Sequence, residues 1–348
     1  MTRAAAQLLH RPAGPKDPAA VAAEICGAQA QELRAGRLAL RARRAGLSVA
    51  RVDRARTEDR SLVRTWAMRT TIHLIATEDF PWLVPLFAPG NAGFNRRRLG
   101  HFGVSEAVQR RGLKLVERLL ADEGPLTRPQ LGERLAERGI ELATEPRMHL
   151  LMLVVTDGIA IQGPDRGKQT CLVLERDWLG KRPAHDRDRS LAELARRYLG
   201  GFGPATETDF AGWAGLPMRD VRAGLGAISA ELREVRLGSG RAWSLKRRAR
   251  TARGRLVRLL PAWDTYLMGY RDREFLTPGE RWEQVAPGGG ILRPAICVDG
   301  VLVGRWQLER DGNAWRVALA PFEDLDAEAE ALLDAEVAEV ERFENIDA

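Results

Sequence analysis

The residues that stand out chemically are two amides, Gln29 and Gln31, in the run Cys26-Gly27-Ala28-Gln29-Ala30-Gln31. An amide offers a donor and an acceptor but no readily lost proton, so it can hold a reactant and cannot act as a strong base. On a helix, positions i and i+2 stand about 200° apart. On an extended segment they share one side, and Gly27 supplies a break at which such a segment can begin. The spacing alone also fits two exposed glutamines in a helical stretch.

Other reactive types give little. Cys26, Cys171 and Cys297 lie far apart with no C-x-x-C pair, which predicts neither a disulfide framework nor a zinc site. The five histidines (10, 73, 101, 149 and 185) are scattered, so no metal is expected. HExxH, GxSxG and a GxGxxG at a strand–helix junction are absent. Gly163-Pro-Asp-Arg-Gly-Lys-Gln-Thr170 resembles a phosphate loop, but it is one spacer short and has Gln169 where a magnesium-binding Ser or Thr belongs. It reads as a hairpin tip.

The elements around these residues repeat a pattern. Residues 106–122 have apolar side chains near helical spacing, and Thr127 is placed to cap a helix over 128–137. Another helix starts near Pro146, and the alternation from Ile159 to Trp178 predicts a β-hairpin. Helix, helix, helix and hairpin is the order of a winged helix. It recurs with helices over 191–199, 206–213 and 217–232 and two strands around Gly238-Ser239-Gly240. The first hundred residues fit more loosely, with helices around 17–25, 32–46 and 57–66 and a strand over 70–75. From Arg255 the texture turns to β, with Asp299-Gly300 and Asp311-Gly312 as hairpin turns. The chain closes on an acidic helix over 323–344, a composition that usually marks a solvated face. The expected fold class is α+β: three tandem winged-helix units (1–100, 101–190, 191–250), then a barrel-like β domain with a terminal helix (251–348).

With 54 Lys and Arg against 47 Asp and Glu, the formal charge of the 348 residues is +7. Residues 323–348 hold eleven acids and one arginine, a charge of −10, which leaves +17 on residues 1–322. So basic a body points to a polyanionic partner, nucleic acid before membrane. Arg96, Arg97 and Arg98, and Arg247 and Arg248 after Lys246, are candidate phosphate contacts; the same clusters also read as solvated arginines. Arg69 and His73, at i and i+4, would share one face of a strand and are candidate DNA contacts, though His73 reads equally as a structural histidine. Asp264 reads as a turn residue before it reads as a partner for a developing cation. The most apolar stretch, Met148–Ile161, is broken by Asp157 and is too short to cross a membrane. The first residues carry too short an apolar run for a signal peptide, so a cytoplasmic protein is expected.

Three stretches together resemble the AlkZ-like family of winged-helix DNA glycosylases: Gly27–Gln31, Arg64–Phe80 and Leu259–Arg273. Ile291–Gln307 fits the same family, so the resemblance spans nearly the whole chain. It implies tandem winged helices, a C-terminal β domain, a concave DNA-binding face, and Gln29 and Gln31 as the catalytic pair. Thr70 departs from the glycine expected in the family's Met-Arg-Gly-Thr pattern. Gln31 differs from the branch that carries Gln-x-Asp. The implied activity is cofactor-free, monofunctional excision of alkylated purines from double-stranded DNA by a monomer. A purine alkylated at a ring nitrogen is cationic and leaves without a general acid, so neutral residues that hold a water under C1′ suffice. The competing class is a non-catalytic winged-helix regulator, because winged helices more often read DNA than cut it.

Overall fold

The computed structural model describes residues 2–11, 17–167, 169–181, 183, 186–238, 240–246, 254–277, 279 and 281–345. Its contacts divide the chain into two compact units. Unit 1 is Met1–Val52 with Asp188–Ala348, and unit 2 is Asp53–Arg187.

The chain opens with helices α1 (Thr2–Ala6) and α2 (Pro18–Glu24), the short strand β1 (Ala28–Gln29) and helix α3 (Leu33–Arg41). Asp17 starts α2 by accepting a hydrogen bond from Ala19 N at 3.0 Å, with Pro18 at the first helical position. The division between units falls within α4 (Val49–Thr57).

Unit 2 continues with β2 (Leu62–Trp66), β3 (Ile72–Ala76), α5 (Phe80–His101), α6 (Glu106–Glu123), β4 (Leu126–Thr127), α7 (Arg128–Glu137), α8 (Thr144–Thr156), β5 (Ala160–Arg166), β6 (Gln169–Leu174) and α9 (Glu175–Leu179). Its strands lie antiparallel in the order β3-β2-β5-β6-β4. Leu99, Val116, Leu131, Leu150 and Val154 form the core beneath them. Thr127 caps α7 as its sequence predicts, within a reciprocal capping box with Gln130. The helix expected around 57–66 is not there: α4 ends at Thr57 and Leu62–Trp66 is a strand. The reason is tertiary. This run pairs with β3 from Leu62↔Ala76 to Trp66↔Ile72 and meets β5 at Arg64↔Gln162, where the Arg64 guanidinium donates to Gln162 Oε1 at 2.8 Å.

The remaining elements are α10 (Arg187–Phe202), α11 (Glu207–Ala214), α12 (Met218–Ala227), β7 (Leu232–Leu237), β8 (Gly240–Leu245), β9 (Val257–Leu260), α13 (Thr265–Met268), α14 (Trp282–Val285), β10 (Ala295–Val298), β11 (Val301–Asp311), β12 (Ala314–Pro321) and α15 (Ala327–Asn345). Tyr198, Phe202, Phe210 and Trp213 pack α10 on α11, with the closest ring centroids 4.6 Å apart. The last four strands form an antiparallel sheet in the order β12-β11-β10-β9. Among the described residues this sheet is open, so the barrel-like closure expected from the sequence is corrected to an open sheet. Helix α15 supplies what closure would have supplied at the edges. Glu336 accepts from Leu259 N on β9 at 3.2 Å, and on β12 Glu341 accepts from Val317 N at 3.0 Å and Asn345 from Trp315 N at 2.8 Å. The acidic helix is therefore not merely a solvated face: Glu336 is 3% exposed.

Candidate functional site

The Gln29–Gln31 element lies in unit 1, between two helices. Helix α2 stops because Cys26 and Gly27 both take positive φ, 55° and 91°. Gly27 N donates back to Ala22 O at 2.8 Å, which closes the last turn and turns the chain out of the helix. The chain then runs extended through β1, Ala28–Gln29, as the presence of Gly27 suggested, and bends at Gln31. Ala28 and Ala30 are fully buried. Gln29 is buried at 6% exposure, whereas Gln31 is exposed, immediately before Glu32 at the start of α3. One amide is thus desolvated and the other wet. The pair runs from the protein interior to solvent on a backbone set by two buried alanines.

Helix α3 holds the far side of this element through two buried arginines. Arg41 donates to Glu336 Oε1 at 2.7 Å and to Leu259 O at 3.3 Å. Arg43, just beyond the helix, makes a bidentate pair with Asp264 at 2.8 and 2.7 Å. It also donates to Gln7 Oε1 and Thr265 Oγ1, at 2.8 and 2.9 Å. Asp264 is fully buried, and besides Arg43 it accepts from Tyr266 N to cap α13. This is the turn role, joined to an ion pair that the sequence did not reveal. Arg11, Arg41 and Arg258 surround Glu336: burial alone would raise its carboxyl, but these cations outweigh it and hold it below the ordinary range.

The candidate DNA contacts that are described lie in unit 2. Arg69 is not on a strand. It sits in the β2–β3 turn at φ 53°, ψ 29°, followed by Thr70 at φ 58°. Thr71 N donates to Met68 O at 3.1 Å, which makes a type I′ turn with both central residues left-handed. Thr70 thus occupies the position where the family pattern carries glycine, the residue this conformation favours. The expected shared strand face of Arg69 and His73 does not form, because the turn intervenes. His73 lies on β3, 1% exposed, with its Nδ1–H donating to Thr71 O at 3.1 Å. Burial first, then the Arg69 charge, push its imidazole down to about 3, so it is neutral near physiological pH.

Arg96, Arg97 and Arg98 share the last turns of α5. Arg96 pairs with Asp157 at 2.5 Å and Arg98 with Glu145 at 3.0 Å, while Arg97 has no acidic partner among the described residues. Arg247 and Arg248 lie outside the described residues. An open groove of about 670 Å³ holds Arg96, Arg97, Gln109 and Arg110. Arg110 also lines a second groove, of about 490 Å³, with Arg111, Lys114, Arg118 and Arg138. Runs of three basic residues do not include this second set; the helical spacing 110, 111, 114, 118 is the signal that finds it.

Comparison with known proteins settles the family. The profile of the family described as DNA glycosylase AlkZ-like matches residues 22–343. The chain belongs to the AlkZ-like DNA glycosylases. A curated relative, an interstrand DNA cross-link repair glycosylase of Streptomyces sahachiroi, is 28% identical over 94% of this chain and 90% of its own length. The solved structure of the DNA glycosylase AlkZ from the same organism superposes with a TM-score of 0.79 at 27% identity, covering 99% of this chain and 95% of that one. AlkZ-like membership makes the chain an enzyme, a DNA glycosylase, and sets aside the regulator reading. Among the described residues no helix is long and apolar enough to cross a membrane.

Proposed function

We propose that this glycosylase hydrolyses the N-glycosidic bond of cationic N-alkylpurines of the N7-alkylguanine type in double-stranded DNA. It would act as a cytoplasmic monomer without a cofactor. Gln29 and Gln31 hold the attacking water and stabilise the oxocarbenium-like sugar. The observation that carries this is the extended segment after Gly27, which places one desolvated and one solvated amide two residues apart. A carbonyl oxygen of the pair accepts from the water and an NH2 donates to a neighbouring oxygen, with no covalent intermediate. Neutral catalysts limit the reaction to bases that already leave as neutral molecules, so uracil and normal bases stay bound to their sugars. The name of the Streptomyces relative favours cross-link unhooking, and with it removal of bulky natural-product adducts in repair or self-resistance.

The architecture we infer for this activity is three winged-helix units, with boundaries at 1–100, 101–190 and 191–250, before a C-terminal domain over 251–348. The support is the recurrence of one element order along the chain: α2-β1-α3-α4-β2-β3, then α6-β4-α7-α8-β5-β6, then α10, the Ala205↔Trp243 bridge, α11-α12 and β7-β8. Arg69, Arg96, Arg97, Arg98, Arg247 and Arg248 serve as phosphate contacts, and His73 positions the turn that carries Arg69.

The test is excision from a duplex with a single N7-methylguanine, read as alkali-labile sites, with a nitrogen-mustard cross-link run in parallel. Wild type should release the base, and Gln29→Ala or Gln31→Ala should abolish release while DNA binding persists. Release by wild type and by both variants alike would remove the glutamines from the mechanism. Release from the cross-link alone would narrow the substrate to that lesion.

A further inference from the structure

We infer that the outer face of α6 is a second phosphate-binding track for duplex DNA, at positions remote in sequence from Gln29 and Gln31. It rests on the reading that duplex DNA is the substrate. Ala107, Arg110, Arg111, Lys114, Leu115 and Arg118 fall on one side of α6, and Arg138 at the end of α7 joins them around one open groove of about 490 Å³. Five cations and no acid line it. Arg111 donates to the Arg138 carbonyl, which fixes one end of the row. Lys114 and Arg118 are exposed and have no acidic partner among the described residues.

Surplus arginine from codon usage does not account for this distribution. The acids of α6 that could have neutralised the face are drawn elsewhere: Glu117 to Arg176 at 2.6 Å and Glu123 to Arg134 at 3.0 Å. Glu106 reaches the row at 3.3 Å from Arg110 and Glu137 at 3.6 Å from Arg138, while Asp122 of α6 makes no ion pair among the described residues. Other exposed arginines of the same unit, such as Arg54, Arg96 and Arg176, stand beside carboxylates. The neighbouring groove of about 670 Å³ meets the first at Arg110 and brings in Arg97, so the positive strip continues toward the end of α5. From Arg110 to Arg118 the helix rises roughly 12 Å, enough to meet three or four successive phosphates of one strand at about 3.4 Å of axis each. A regular row of cations suits a phosphodiester backbone and carries no base readout.

The experiment measures binding of the full chain to an undamaged 40-base-pair duplex by fluorescence anisotropy over a salt series. The variants are Lys114→Ala/Arg118→Ala, Lys114→Glu/Arg118→Glu and a control, Arg54→Ala/Arg316→Ala, which removes two carboxylate-paired arginines on other elements. The alanine pair should weaken binding at least tenfold near 0.1 M salt and lower the slope of log K against log salt by about 1.8, two released ions at about 0.9 each. Charge reversal should weaken it further, and the control should stay within about twofold of wild type. Melting curves by circular dichroism confirm that each variant is folded. An affinity and slope for the Lys114/Arg118 variants indistinguishable from wild type would overturn the track, as would an equal loss in the control. Wild type that binds duplex but excises no lesion defeats the proposed chemistry, yet the track still stands or falls on the slope. Wild type that binds no duplex defeats both.

Discussion

Two sites, one in each unit, bury ionisable side chains in opposite ways. In unit 1, Arg43 and Asp264 are both fully buried and locked together by a bidentate pair 2.7 and 2.8 Å long. In unit 2, His73 is buried to the same degree beside Arg69 and gives up its charge instead. The difference follows from the side chains. A guanidinium cannot release its proton under ordinary conditions, so inside a protein it must be paired. An imidazole can release its proton, so it needs only one hydrogen bond. The first solution requires a second residue from far along the chain. The second is local and makes stability depend on pH. Neither unit leaves a charge buried without compensation at these positions, and the candidate catalysts, Gln29 and Gln31, avoid the problem by having none.

The sharpest way to break this contrast is Asp264→Ala. It strands a buried guanidinium, so urea unfolding should show a loss of about 3–5 kcal/mol; a loss below about 1 kcal/mol would mean that the pair contributes nothing beyond packing. Gln29→Ala should behave in the reverse sense. Its stability should fall by only about 1 kcal/mol, the usual cost of a lost side-chain hydrogen bond, while single-turnover excision of N7-methylguanine slows by about 100-fold, or about 2.7 kcal/mol of barrier. Equal losses in folding and rate would make it a structural residue.

His73 supplies the third comparison. Its folded value of about 3 lies below the unfolded value of about 6.5. Between these pH values the unfolded chain binds one more proton than the folded one, so stability is full above pH 6.5 and falls as the medium is acidified toward pH 3. At pH 5 the loss from this residue should be about 2 kcal/mol. His73→Gln should flatten that part of the stability profile. The smallest effect belongs to the turn next to His73. Thr70→Gly relieves a β-branched residue held at φ 58° and should stabilise unit 2 by about 1 kcal/mol after the entropy cost of glycine. A fall in melting temperature would show that the threonine side chain contributes more than its backbone strain costs.

Much of this molecule was legible because the signals are local. The Thr127 cap, the break at Cys26-Gly27 and the turns at Asp299-Gly300 and Asp311-Gly312 each depend on a few adjacent residues whose φ preferences and side-chain acceptors act over one turn. The family resemblance was legible for the same reason, since its motifs are short runs. Tertiary structure decided the rest. Leu62–Trp66 became a strand because it found β3 and β5, and a helix prediction for that stretch had no access to those partners. The acidic C-terminal helix reads as solvated until Glu336 meets Arg41, 295 positions away in sequence, together with Arg11 and Arg258. The arginines show the limit most clearly. Composition supplies a basic chain, but only the fold determines which guanidinium is sealed against a carboxylate and which stands in the open. Pairing depends on distance in space, and sequence spacing fixes that distance over no more than a turn or two of helix.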